Sequence, residues 1–216
     1  MTRGKVDSER KFDLSGGALC LDFANTVLRR NQSDRAEDEL SNYARLVAFA
    51  RQTKLLSPAK ADFLAKLATV KRRNVDRVLP AAVMLREAIY RVFAASAAGR
   101  QASSQDLKLL EDFALEAWRH RRLRPTAKDG FGWQWKAEEA ESPEQVLWPI
   151  ALSAAELLTS DRLGSVRQCA ADDCAWLFLD ESRNHSRRWC DMTVCGNRQK
   201  ARRHYLRAQQ EPAAGS

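Results

Sequence analysis

Four cysteines, Cys169, Cys174, Cys190 and Cys195, fall within 27 residues of this chain. Their spacing is C-x4-C, fifteen intervening residues, and C-x4-C again. A tetrahedral zinc ion takes four thiolates at about 2.3 Å, and two short pairs joined by a longer excursion can supply them. A redox dithiol fits less well, because such enzymes use C-x-x-C. An iron–sulfur cluster would also use four cysteines, but in different runs. The pattern therefore favours one structural Zn2+, with no coordination position left for water. His185 is a spare donor between the pairs. The run "WLFLD" reads as half of a hairpin. A segment of roughly 40 residues has little core, so the metal is expected to supply most of its folding free energy, on the order of 10 kcal/mol.

The same segment carries most of the net charge. The chain totals +8, and residues 182 to 207 hold eight basic residues against one acid, Asp191. Charge this concentrated points to an anionic polymer. A helix following Cys195 would place Lys200, Arg203, His204 and Arg207 on its outer side and Ala201, Tyr205 and Leu206 toward the metal. Arg198 and Arg202 fall on the inner arc, where they either cover the finger or contact phosphate. Arg183, Arg187 and Arg188 add a basic loop before Cys190. Backbone phosphate contact is the expected mode, with base readout by Lys200, Arg203 or Arg207. DNA is the first expectation. RNA is the alternative, weakly supported because few aromatics interleave the cations. A protein-interaction module would call for a less charged finger.

These groups need a scaffold, and the preceding residues read as mainly helical. Helical periodicity runs through Leu40, Tyr43, Leu46, Val47 and Ala50, then through Phe63, Leu64 and Leu67 after the Ser57-Pro58 cap. A third helix spans about 81 to 98, with Met84, Leu85, Ala88, Ile89, Val92 and Phe93 on its apolar face and Gly99 at its end. A fourth starts near Ser103 or Ser104 and contains Leu107, Leu110, Phe113, Leu115 and Trp118. The stretch "HRRLRPTAKDGFGWQWKA" carries an Asp-Gly turn and a period-two arm, hence a β-hairpin. Ser142-Pro143 opens a fifth helix, which Pro149 should kink and which ends near Leu163-Gly164. The expected class is α+β: a helical unit over 1–165, a treble-clef-like or ribbon-like finger over 166–208 ending in a basic helix, and a disordered tail over 209–216. No flexible linker separates the first two, so the finger should sit against the larger body.

"GALCLDFANTV" is an apolar run, strand or helix, holding Cys20 as a small buried side chain. Asp22 and Asn25 within it read as buried hydrogen-bond ties. Alternatively they line a small-molecule pocket with Trp148. His120, flanked by arginines, is expected on the surface. The first 165 residues show no phosphate loop, nucleophile elbow or H-E-x-x-H pair, so no enzyme is expected. No stretch of eighteen apolar residues occurs, and the charged beginning lacks a secretion signal, so a cytoplasmic protein without membrane spans is expected.

The segment from "CAADDC" to "CGNRQKARRH" resembles the CGNR zinc finger, named for the run formed here by Cys195, Gly196, Asn197 and Arg198. The part before it, from "GGALCLDFANTV" to "VLWPIALSAAELLTS", resembles the ABATE-type domain that accompanies this finger. The resemblance implies a stress-induced transcription regulator of bacteria, with DNA binding by the finger and sensing or regulation by the larger domain. One finger is small for high specificity, so a homodimer reading two half-sites is the matching expectation.

Overall fold

Leu19–Ala24 folds as a six-residue helix, α1, with Cys20, Leu21, Phe23 and Ala24 all buried. This settles the strand-or-helix question in "GALCLDFANTV": the run is apolar on nearly every side because other elements surround it. The computed structural model describes residues 10–70, 75–126, 130–136 and 142–210. A short antiparallel pair follows α1, with β1 (Val27–Leu28) against β2 (Glu37–Asp38). Then come α2 (Tyr43–Gln52), α3 (Pro58–Val70), the long α4 (Val78–Ala97) and α5 (Ser104–Arg119). The Asn42 side chain caps α2 by accepting from the Arg45 N–H.

Helix α4 buries Val78, Ala82, Leu85, Ala88, Ile89, Val92 and Phe93 in the main core, which α1 also enters, at the three- and four-residue spacing of one face. Met84, expected on that face, is exposed instead, one step round the helix from Leu85. Phe63, Leu107, Leu115 and Trp118 are also largely exposed. The hairpin forms as expected, β3 (Arg121–Thr126) pairing with β4 (Gly130–Trp135) from Arg121↔Trp135 to Thr126↔Gly130. Most of its connection, 127–129, lies outside the described residues. Helix α6 (Leu147–Leu158) follows a 3-10 turn over Pro143–Val146. Pro149 thus sits in the first turn of α6, where a missing N–H costs little, and the expected mid-helix kink is corrected to a helix start. One side of α6 joins the main core through Ile150, Ala154 and Leu157, and the other packs Trp148 and Leu152 on Ala114 and Ala117 of α5. That helix ends at Leu158, and a separate 3-10 turn spans Asp161–Ser165.

The chain then forms β5 (Val166–Gln168), β6 (Leu177–Leu179), a π-type turn (Met192–Gly196) and α7 (Asn197–Gln210). Strands β5 and β6 pair antiparallel, Val166↔Leu179 to Gln168↔Leu177. The expected disordered tail is corrected at its start: residues 209 and 210 complete α7, and 211–216 lie outside the described residues. The architecture is mainly helical with small hairpins. Among the described residues no helix is long and apolar enough to cross a membrane.

The polar stretch after α1, LRRNQSDRAEDE, is tied firmly to the helices. Buried Arg86 of α4 reaches Asp38 with both terminal nitrogens, at 2.6 and 2.8 Å. Arg30 grips Glu87 at 2.7 and 3.0 Å and lies over the Tyr90 ring. These pairs pin β1 and β2 to α4, and they hold the Asp38 and Glu87 carboxyls below their usual range against the opposing effect of burial.

Candidate metal centre and nucleic-acid interface

The first cysteine pair sits at the end of a hairpin that the larger domain holds in place. Val166, Leu177 and Leu179 belong to the main core. Asn25, almost wholly buried, donates to the Leu177 carbonyl at 2.8 Å and accepts from the Leu177 N–H at 2.9 Å, so its amide acts as an extra piece of strand edge. The Trp176 indole donates to the Val27 carbonyl at 2.8 Å, and the Tyr90 hydroxyl donates to Ala175 O at 3.2 Å. Further along β6 the Leu179 N–H bonds Gly16 O at 2.9 Å, and Gly17 (φ +78°) lies so close that an added Cβ would meet Leu179 Cβ at 3.3 Å. Between β5 and β6 the chain turns from Cys169 to Cys174. Cys169 N–H bonds Trp176 O at 2.7 Å, and Ala175 closes the turn in the left-handed region at φ 61°.

The second pair brackets a loop and a helix start. Asp191 caps the turn over Met192–Gly196 by accepting from the Thr193 and Val194 amides. Cys195 lies inside this turn, directly before α7. A hairpin giving two ligands and a helix start giving the last is the treble-clef-like of the two expected arrangements. The four sulfurs all lie within 4.8 Å of one another and are buried. Cys174–Cys190 and Cys190–Cys195 are each 3.6 Å apart. Four thiolates at about 2.3 Å from one zinc would sit about 3.8 Å from each other, so the donor set fits. Hydrogen bonds with Cys174, Cys190 and Cys195 pull the Cys169 thiol below its usual range, whereas bonding to Cys169, Cys174 and Cys195 drives Cys190 up. Thiols can hold one thiolate; four need a cation. His185 takes no part, its Nδ1 lying 2.9 Å from the Asp180 carbonyl. Cys20 stays apart under Ser153, its thiol pushed up to about 12 by burial.

Of the nine residues expected to meet nucleic acid, three are turned to tasks within the finger. Arg198 donates to Asp173 at 2.8 Å and to Cys195 Sγ at 3.3 Å, and Arg202 donates to Asp172 at 2.5 Å. Both acids belong to the first cysteine turn, so these arginines tie the start of α7 to it. Arg187 lies over the Phe178 ring at 4.6 Å and donates to the carbonyls of Trp189 and Cys190. Arg183, Lys200, Arg203, His204 and Arg207 are exposed and pair with no carboxylate among the described residues, while Arg188 stands over the Trp189 ring. The loop bearing Arg183 is shaped by buried Asp180, which accepts from the Ser182 amide and hydroxyl and from the Arg187 amide. One expectation is corrected: Ala201, Tyr205 and Leu206, placed toward the metal by helical phase, are exposed, because α7 runs on past the cysteine turn.

The three residues considered for a ligand pocket each have another task. Asn25 is the clamp on Leu177. Asp22 accepts the Gly16 N–H at 2.8 Å, and burial raises its carboxyl to about 6. Trp148 is buried in the α5–α6 seam. There it stacks on His120 at 3.9 Å between ring centroids, which also corrects the expected exposure of that histidine. The ion pairs at Arg86 and Arg30 went unread because loop charges usually stay solvated, and Arg30 and Asp38 are flanked only by polar neighbours that set neither of them apart.

Family comparison agrees with this anatomy. Residues 17–161 match the ABATE family, described as "putative stress-induced transcription regulator", and residues 165–208 match the CGNR zinc finger. No curated protein matches the chain significantly. Four cysteines positioned to hold one ion, inside a match to a zinc finger, identify one structural zinc site. The chain therefore belongs to the ABATE family and carries a CGNR zinc finger after its helical domain.

Proposed function

We propose that the protein is a zinc-dependent DNA-binding regulator of transcription, in which the finger grips duplex backbone and the helical domain senses a ligand or dimerises. One observation carries the reading: the basic residues divide into two sets. Arg187, Arg198 and Arg202, though partly exposed, end on carbonyls and carboxylates of the finger itself, while Arg183, Arg188, Lys200, Arg203, His204 and Arg207 are exposed with no carboxylate partner among the described residues. Structural cations end on carbonyls and carboxylates; cations for phosphate are left facing water. In this reading the metal is structural and the protein binds without catalysing, since four thiolates complete the shell.

Fluorescence anisotropy with duplex DNA and duplex RNA across a salt series tests it. Affinity for DNA should fall steeply with salt, and Arg203→Ala/Arg207→Ala should flatten the log–log slope by about 0.9 for each phosphate no longer neutralised. Salt-independent binding, or none, overturns the proposal; tighter binding to RNA reassigns the polymer.

A further inference from the structure

The β3–β4 register puts Phe131, Trp133 and Trp135 on one face with their cross-strand partners Pro125, Leu123 and Arg121. Trp118 of α5 meets Trp133 edge-on at 5.1 Å, which joins this face to the end of α5, and Leu115 lies one turn earlier. The outer part of this face is bare, with Phe131 74% exposed and Leu123 56%, while Leu115, Trp118, Trp133 and Trp135 are each about half exposed and Trp135 meets Trp148 of α6 at 5.6 Å. A soluble monomer seldom shows a contiguous apolar patch of this kind, and an isolated two-stranded hairpin is marginal in water.

We propose that this face is a homodimer interface, the aromatic side of one hairpin packing on the same side of a second copy about a two-fold axis. Charge favours that occupant. Strand alternation sends Arg122 and Arg124 to the opposite face. Among the described strand residues the one cation on the aromatic face, Arg121, is already engaged, donating to Trp133 O at 2.9 Å with its guanidinium over Trp118 and Trp135. Two copies can therefore meet without opposing like charges, whereas an acidic or nucleic-acid partner would be drawn to the other side. Area favours it too. Side chains of this size, exposed to this degree, offer on the order of 700 Å² per copy, against the ~800 Å² per partner of a standard specific interface. A two-fold contact is self-complementary, so one patch suffices. The dimer would carry two fingers.

Sedimentation equilibrium of the full-length, zinc-loaded protein tests the proposal. The expected mass is twice 24.4 kDa. Phe131→Glu/Leu123→Gln should sediment as a monomer with its helical content and one zinc per chain retained, and Arg124→Glu, on the opposite face, should stay dimeric. A wild-type monomer throughout the micromolar range would overturn the proposal and leave the face to a different protein. So would a double variant that stays dimeric, or Arg124→Glu dissociating equally. Hydrogen exchange of wild type needs no variant: amides over 130–135 should gain protection with protein concentration, and concentration-independent exchange counts against the dimer.

Discussion

The two cysteine pairs share one ion but rest on different foundations. Cys169 and Cys174 end a hairpin whose Val166, Leu177 and Leu179 lie in the main core and whose backbone is clamped by Asn25. Cys190 and Cys195 lie on a loop and turn tied to the first pair by Arg198–Asp173, Arg202–Asp172, Arg187 over Phe178 and one backbone bond, Ala170 N–H to Arg188 O. Burial fixes the first half, at about 25 cal/mol per Å² of apolar surface. Exposed ion pairs are worth only about 0.2–1 kcal/mol each. The metal's folding work should therefore fall mainly on the second half, and not on the whole roughly 40-residue segment as its small size implied.

Metal removal is the largest test of that asymmetry. Chelation withdraws on the order of 10 kcal/mol of binding free energy. Hydrogen exchange should then show residues 187–210 losing protection and α7 its helical signal, while 166–168 and 177–179 stay protected with the core. Simultaneous loss of β5 and β6 would erase the distinction between the pairs.

The reverse perturbation attacks the first half. Asn25→Ala leaves the Leu177 N–H and carbonyl buried without partners, at a cost of about 2–5 kcal/mol. Urea melts of the zinc-loaded protein should register that loss. Equal stability in the variant would show that the clamp contributes little to the knuckle's footing.

What could be read in advance follows the range of the forces involved. The metal ligands were legible because zinc imposes spacing on the chain itself, and the helices because α4 and α6 repeat their apolar residues at helical period. The Asn25 clamp was legible only as a class, since a buried polar residue must be paired; its partner lies 152 positions away. Arg198 and Arg202 were ambiguous from phase alone, because an arginine near a cysteine turn serves phosphate or carboxylate equally well until Asp172 and Asp173 are placed. Tyr205 and Leu206 misled because phase gives direction round a helix but not how far the covering layer extends.

A smaller effect belongs to the domain side of the seam and should not depend on the metal. Asp22 accepts from Gly16, whose carbonyl in turn receives Leu179 of the hairpin. Burial, with Asp13 adding repulsion, raises its carboxyl from 3.8 to about 6. A carboxyl raised on folding favours the native state while protonated, so its contribution is fully present below pH ~4 and is lost as pH rises through ~6. Asp22→Asn keeps an acceptor for Gly16 and removes the charge. It should be more stable than wild type at pH 8 by on the order of 1–3 kcal/mol and converge with it toward pH 4. Melts with and without metal should give the same difference; a pH-independent gap would show that Asp22 ionises freely in the fold.

The finest test separates the two sets of arginines. Arg198→Ala/Arg202→Ala removes two partly exposed ion pairs and the donor to Cys195 Sγ, so about 1–2 kcal/mol should disappear from the tie between α7 and the knuckle. Competition with a chelator should then show zinc released severalfold more readily, with little change in the salt slope of polyanion binding. Arg203→Ala/Arg207→Ala should do the opposite, leaving zinc retention untouched. If both double variants lower the salt slope equally while zinc affinity stays constant, the inner arginines face phosphate after all, and the second cysteine pair depends on its ion even more completely than these contacts imply.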